Sequence, residues 1–576
     1  MNYLKRSERL LKHSLKNKKR ITLSLIVTFL ITGKVGFVEH EVYARDLRAR
    51  NAGANNIKPA PDGPTMGESI NKTDVVNIKD SVNGISHNKF IDFNVGSGNN
   101  VIFNNNGTQE VVNTKTGGLV HRNEGLTQEA NAILTEVTGS NASSINGIIE
   151  IAGRKADFIL ANENGITVNG GGFINTNGVT LTTGKPSINN GDVTLNVNKG
   201  NILIEGKGVG TAGEYFNVIA KTIELKGQVA AFEGQTDADL TFIAGQNEVS
   251  LKDKKNPKVT KVLGNEKDKD TKYGIYANEL GAMYGRNIRL ISTTEGLGVR
   301  HEGLVRAAKD IQIDSAGDIV VAGLYADYGI NIKGKGNFET KNGSYKNGNT
   351  IYNYSIIGSD GIEIAVDGDV SIGNEIVNHS LKKDVVISGK SLKVVGNKKG
   401  TGSIISNAGL RIKVTGDIEI DQILEPTRIN GDSGKSPLVL LIGENGSIQV
   451  KDPDTGKILS ESEYKWKSTG VYGQQIDIQG KNLKNDGIIG SLKSYRDNSI
   501  KINVSNKLDN SGTISASGDL NIAAKEINNS ASGDKKGIIT GAKVDISAEK
   551  LENKGDIRQN IFADGETIDR NQGVRI

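Results

Sequence analysis

Chemistry in this chain has few residues to work with. The six histidines are His13, His40, His87, His121, His301 and His379, and none lie at metal-ligand spacing. No H-E-x-x-H, phosphate-cradling glycine loop or G-x-S-x-G occurs. Cysteine is absent, which excludes disulfides and thiolate metal sites. Asp452-Pro453-Asp454-Thr455-Gly456 with Glu463 approaches a calcium loop, but its glycine comes one position early and a proline intrudes, so it reads as a plain turn. The expectation is a chain with no catalytic residues, no metal and no cofactor. The informative spacing is that of asparagine and glycine. Ile151–Gly184 alternates short β-branched runs (Phe158-Ile159-Leu160, Ile166-Thr167-Val168, Val179-Thr180-Leu181) with Asn/Gly turns such as Asn162-Glu163-Asn164-Gly165. No run leaves room for a helix. Asparagine and glycine close turns because both tolerate left-handed backbone, so Asn164 and Gly165 are expected to carry that geometry here.

The elements that must position those turns are strands. The 576 residues include 72 Gly, only 8 Pro, and 5% aromatics. That composition suits repeated tight corners around a thin aliphatic core. Four C-terminal units align: one from Ile476, one from Ile500, one from Leu520 and one from Val544. Each opens with an alternating apolar pair, followed by Leu483, Leu508, Ile527 or Leu551. Each then reaches a glycine (Gly487, Gly512, Gly537, Gly555) and, two positions on, Ile489, Ile514, Ile539 or Ile557. A period near 20 residues signals stacked units, and alternation at period two makes them strands. Leucine-rich and calcium-binding nonapeptide patterns are missing. A parallel β-helix remains, in which each coil buries its core only against its neighbours. The same grammar recurs at Ile311-Gln312-Ile313, Ile330-Asn331-Ile332 and Ile362-Glu363-Ile364. Residues 51–70 read as an irregular entry segment. Lys252–Lys272, with eight lysines and four acids, reads as a solvated loop, and Asp452–Lys467 as a second extrusion.

Residues 1–44 read as an extended signal peptide. Eight basic residues precede the apolar run Ile21–Thr32, too short to span a bilayer. Val42-Tyr43-Ala44 places small residues for cleavage between Ala44 and Arg45. The leader holds nine Lys/Arg and three acids, so the rest of the chain has 62 basic and 63 acidic residues. A clustered basic face is not indicated, and a nucleic-acid partner is not expected.

Ile133–Gly184 resembles the secretion domain of filamentous-haemagglutinin-like two-partner secretion exoproteins. Asn162-Glu163-Asn164-Gly165-Ile166 looks like that family's Asn-Pro-Asn-Gly-Ile box, with Glu163 in the proline position. The earlier Asn-Pro-Asn-Leu box falls at Asn123-Glu124-Gly125-Leu126, a weaker match. Arg289-Leu290-Ile291-Ser292-Thr293, with Gly296 and Val299, resembles the family's final secretion-domain strands. The resemblance implies a right-handed parallel β-helix (all-β, a single-stranded solenoid with extruded loops). It implies a secretion domain at residues 45–305 and haemagglutinin-type β-helical repeats at 306–576. It also implies export by the general secretory pathway and then through an outer-membrane β-barrel transporter with periplasmic polypeptide-binding domains. Asn162, Glu163, Asn164, Gly165, Ile166, Asn123 and Leu126 become candidates for recognition by that transporter. The expected protein is a secreted or cell-surface filamentous adhesin for a host or neighbouring-cell receptor or glycan. Alternatives are part of a contact-dependent inhibition toxin, a haemolysin-like exoprotein and, further off, a polysaccharide-acting β-helix enzyme. The end of the chain lacks the ten-residue alternating strands of a self-made membrane barrel.

Overall fold

The computed structural model describes residues 53–210, 213–230, 238–264, 271–347, 350–397, 400–421, 424–428, 439–442, 448–451, 458–459, 464–468, 470–491, 498–532, 535–559 and 573–576. The leader with its Ala44–Arg45 junction lies outside them, as do most of Asp452–Lys467 and its calcium-like turn.

The described residues are all strand and turn. Two compact units are present. The larger comprises Asp46–Gly343, Tyr354–Glu425 and Trp466–Ile576, and it is a parallel β-helix. The smaller includes the described parts of Ser344–Asn353 and Pro426–Lys465. Its described strands pair antiparallel, Ser344–Asn347 with Thr350–Asn353 and Val439–Ile442 with Ile448–Lys451.

Alternation produces the solenoid because a strand presents successive side chains to opposite faces. In Ile311–Ser315 the residues Ile311 and Ile313 are buried while Gln312 and Asp314 turn outward. Parallel pairing stacks equivalent residues: Ile288 on Ile311, Ile311 on Ile330, Ile330 on Ile362 and Ile362 on Val385. The C-terminal units stack in the register their alignment requires, Leu483 on Leu508, Leu508 on Ile527 and Ile527 on Leu551. The resulting core is one continuous column from Val76 to Ile546.

The entry segment departs from expectation. Rather than being irregular, Asn56–Pro59 pairs antiparallel with Ile85–Asn94, and Thr65–Glu68 pairs antiparallel with Asp74–Asn77. A parallel stack otherwise ends in an open ladder edge, which invites wrong pairing. Pro59 sits beside a register shift in the outer strand, where a residue without an N–H is tolerated.

Two insertions cover parts of the helix surface. Lys185–Asn189, Asp192–Val197, Asn247–Ser250 and Lys258–Val262 form a four-stranded antiparallel sheet. Its Val193, Leu195, Val197, Val249 and Leu251 pack on the outward-facing Ile159, Ile219 and Ile243. Part of the lysine-rich segment expected to be loop is therefore an edge strand, with Lys258 and Lys261 exposed. The second insertion is the hairpin Val111–Thr114/Gly118–His121, whose Val112 and Val120 lie over Val75, Ile102 and Ala152. The buried Glu150 carboxylate accepts from Lys115 N at 2.7 Å, Thr116 N at 2.8 Å and Thr116 Oγ1 at 2.6 Å, tying the hairpin down.

Candidate functional site

The five-residue box closes a corner between two faces of the β-helix. Ala156–Asn162 ends on one face and Ile166–Val168 begins the next. Asn162 is 1% exposed and every polar atom of its side chain is engaged. Its Nδ2 donates to Asn141 O at 2.9 Å and to Ser143 Oγ at 2.9 Å, on the preceding coil. Its Oδ1 accepts from Asn164 N at 2.9 Å, an Asx turn, and from Asn164 Nδ2 at 3.2 Å. Gly165 N then donates to Asn162 O at 3.1 Å, closing a β-turn. Asn164 Nδ2 reaches Gly139 O at 2.9 Å, so both asparagines lace this coil to the one before.

The left-handed conformation falls on Gly165 alone, at φ 116°, and Asn164 keeps negative φ. A side chain at Gly165 would place its Cβ 3.0 Å from Asn201 O. The expectation that Asn164 shares the left-handed geometry is corrected accordingly: the Asx turn holds Asn164 by hydrogen bonds. Glu163 occupies the first central position of the turn, where proline is favoured only because its φ is preset. Glutamate keeps that corner without strain. Ile166 drops into the core beneath, 2% exposed.

The weaker box proves to be the same device. Asn123 is 5% exposed, and its Nδ2 donates to Ile78 O at 2.9 Å and to Asn104 O at 3.1 Å. Its Oδ1 accepts from Gly125 N at 3.1 Å, and Leu126 N donates to Asn123 O at 3.2 Å. Leu126 enters the core as Ile166 does. Glu124 stands where Glu163 does, its side chain 82% exposed. The local turn repeats that of Asn162, and the bonds to Ile78 and Asn104 tie it to other coils, which spacing does not show. The structure does not bring the two boxes into one cluster; each serves its own corner.

Elsewhere the polar groups are those of a scaffold. Among the described residues no group of His, Asp and Glu is placed to hold a metal ion. A cleft of about 520 Å³ beside the antiparallel sheet is lined by Asp157, Asn177, Glu214, Tyr215 and Lys252 to Lys255. Burial raises the Asp157 pKa, against the opposing pull of Tyr215 and Lys254. His301, unused by any motif, is completely buried in the β-helix with its Nδ1 3.3 Å from Gly303 O.

Comparison with known proteins bears on residues 54–321, which match the sequence model of the TPS secretion domain. The chain is 39% identical over 281 residues to the filamentous hemagglutinin of Bordetella pertussis, covering 48% of this chain and 8% of that protein. It is 35% identical over 321 residues to the 16S rRNA endonuclease CdiA of Enterobacter cloacae subsp. cloacae, covering 54% of this chain and 9% of that protein. The matched stretches thus span less than a tenth of these relatives. A solved structure, the crystal structure of a filamentous hemagglutinin secretion domain, aligns with 36% identity and a TM-score of 0.46, covering 49% of this chain and 95% of that one.

Proposed function

We propose that this chain, whose residues 54–321 are a TPS secretion domain, is a secreted or surface-displayed adhesin-type exoprotein. It leaves the periplasm through a separate outer-membrane β-barrel transporter with periplasmic polypeptide-binding domains. The observation that carries this reading is the secretion-domain match on a β-helix whose core column runs on through the C-terminal repeats. In this division residues 1–44 are the leader, 45–305 the secretion domain and 306–576 the displayed repeats. Those repeats offer long, regular faces, the form of a surface that meets a receptor or glycan on another cell. A toxin-linked reading rests on the relatives named as nucleases. The chain matches 9% of such a protein, so the nuclease named there is said of that relative.

Recognition at Asn162 belongs to the chain before it folds. In the β-helix its amide has two donor bonds and two acceptor bonds within the fold. An incoming transporter would find no free hydrogen-bonding atom there. In the unfolded chain the bonds of Asn162 to Asn141 and Ser143 on the preceding coil are unmade, which leaves its amide accessible. The same residues are then read first and buried second.

Deleting the transporter gene should trap the chain in the periplasm, and undiminished surface export in that strain would count against the reading. Asn162→Ala resolves the recognition step. If the box is read by the transporter, export falls by more than the variant's loss of thermal stability accounts for. Removing one such side-chain bonding group costs about 1–3 kcal/mol, small for a long cooperative stack. Normal export of the Asn162→Ala, Asn164→Ala double variant would leave the residues as corner pieces only.

A further inference from the structure

The glutamates of the two corner boxes do nothing for the fold. Glu124 has its side chain 82% exposed, and Arg122 Nε stands 3.9 Å away. Glu163 is half-buried and makes no ion pair with another described residue. Both corners are closed by other atoms. The asparagine Oδ1 accepts from the N–H two residues on, and its backbone oxygen from the N–H three residues on. Among the described residues the same two bonds follow one more Asn-Glu pair, in Asn278-Glu279-Leu280-Gly281. Leu280 N donates to Asn278 Oδ1 at 3.0 Å, and Gly281 N donates to Asn278 O at 3.0 Å. This turn joins Tyr273–Ala277 to Met283–Gly285. Asn278 N donates to Leu225 O on the preceding coil at 3.1 Å, and a Cβ at Gly281 would meet that oxygen at 2.7 Å. The fold thus accounts for Asn278 and Gly281. It does not account for Glu279, which is exposed and unpaired among the described residues, or for Leu280 at 69% exposure.

Elsewhere the fold gives such residues work. Asn247-Glu248 begins a strand, and Glu248 accepts from Thr260 Oγ1 at 2.8 Å. Asp253 closes a turn by the same two bonds, but Lys254 and Lys255 follow it, and they pair with Asp157 and Glu214. Glutamate is also not what the turn needs, since its first central position favours proline. At Glu124, Glu163 and Glu279 a charge therefore occupies a position from which the fold gains nothing. The two closing bonds of each turn lie within four consecutive residues. Side-chain to backbone bonds of this kind form locally. The chain can make them before it folds, and each turn then presents a carboxylate.

Resting on the export reading above, we propose that Asn278–Gly281 is a third recognition element, and that the transporter reads all three as an asparagine-closed turn carrying a carboxylate. The matching surface on its periplasmic polypeptide-binding domains is a groove with a Lys or Arg at the glutamate position. All three turns lie inside residues 54–321. Each contact is weak alone, because an exposed ion pair is worth about two- to five-fold in affinity. Three on one flexible chain reinforce each other, since the first contact holds the others near.

The test titrates the full chain, freshly diluted from denaturant, onto the purified transporter, and scores export in cells. Glu279→Gln should weaken binding about two- to five-fold. The Glu124→Gln, Glu163→Gln, Glu279→Gln triple variant should weaken it more than about tenfold and lower export with it. Salt screens charge pairs, so wild-type binding should fall as salt rises while that of the triple variant changes little. The folded triple variant should keep its melting temperature, because the fold uses none of the three carboxylates. Glu110→Gln, at an exposed glutamate outside these turns, is the control. A triple variant that binds and exports as the wild type does overturns the proposal, and so does an equal loss from Glu110→Gln. A silent Glu279→Gln beside losses at Glu124 and Glu163 overturns the third element. Export without the transporter would instead overturn the reading on which the proposal rests.

Discussion

The strands as far as Asp239–Ala244 and those from Gln475–Asn485 onward use one fold and two kinds of core. In the N-terminal coils a ladder of phenylalanines runs up the axis: Phe90, Phe93, Phe103, Phe158, Phe173, Phe216 and Phe242, with successive ring centroids 5.1 to 6.4 Å apart. Beyond Phe242 the column holds Phe338 and otherwise Ile, Val, Leu, Ala and Met. The C-terminal coils carry a ladder of another kind at a corner. Asn485 Nδ2 donates to Asn510 Oδ1, Asn510 Nδ2 to Asn529 Oδ1 and Asn529 Nδ2 to Asn553 Oδ1, each at 2.8 Å. One region is held by large individual contacts, a cap and packed insertions. The other is held by one small interaction repeated coil after coil. A stack of repeats is nearly one-dimensional, so its stability is a sum over neighbours and damage stays local. The N-terminal region has the heterogeneity of a domain that must be singular.

The largest effect that could break this comparison is Phe158→Ala. Phe158 touches both Phe103 and Phe173, and truncating a buried phenylalanine costs about 3–5 kcal/mol. Two thermal transitions are expected, with only the N-terminal one lowered. A single transition shifted as a whole would mean that both regions melt as one unit.

His301 comes next. Burial holds its pKa down, from 6.5 to about 4, against the opposing pull of the Gly303 and Gly281 backbones. The unfolded chain therefore binds this proton more readily than the folded one. The part of the stability that depends on His301 is full above about pH 6.5, falls as pH drops towards 4, and levels off below that. The loss is on the order of 3 kcal/mol across that window. His301→Gln should flatten the slope in chemical denaturation measured at several pH values. An unchanged slope would show that the ring is not buried neutral.

The asparagine ladder gives the smaller effects. Asn510→Ala removes an acceptor from Asn485 and a donor from Asn529, for a cost of about 2 kcal/mol. Asn553→Ala, at the end of the described ladder, removes one rung for about 1 kcal/mol. Equal losses at the two positions would mean the rungs are not coupled along the stack.

The sequence made the fold legible wherever alternation and the glycine-centred repeat were regular, as at Leu483, Leu508, Ile527 and Leu551. The antiparallel sheet was hidden because the lysines of Lys258–Val262 mask its alternation, and its apolar partners lie on outward positions of distant coils. The corner at Asn162 was readable from its residue types. Which residue takes the left-handed backbone was not, because the Asx turn that spares Asn164 depends on where Asn162 points. The corner at Asn123 was placed only as a weak match, since the bonds that tie it to the fold reach Ile78 and Asn104. The phenylalanine ladder was equally invisible, because seven aromatics scattered over 150 residues meet only once the coils are stacked.

The central claim is that the N-terminal region carries the address for export and the C-terminal repeats are cargo. It is tested by placing the same leader on two pieces, residues 1–321 alone and the leader joined to 322–576, and expressing each with the transporter. Surface and medium fractions are then compared with the periplasm. The account predicts that the first piece is exported only when the transporter is present, while the second stays in the periplasm. Export of the repeats without residues 54–321 would contradict it.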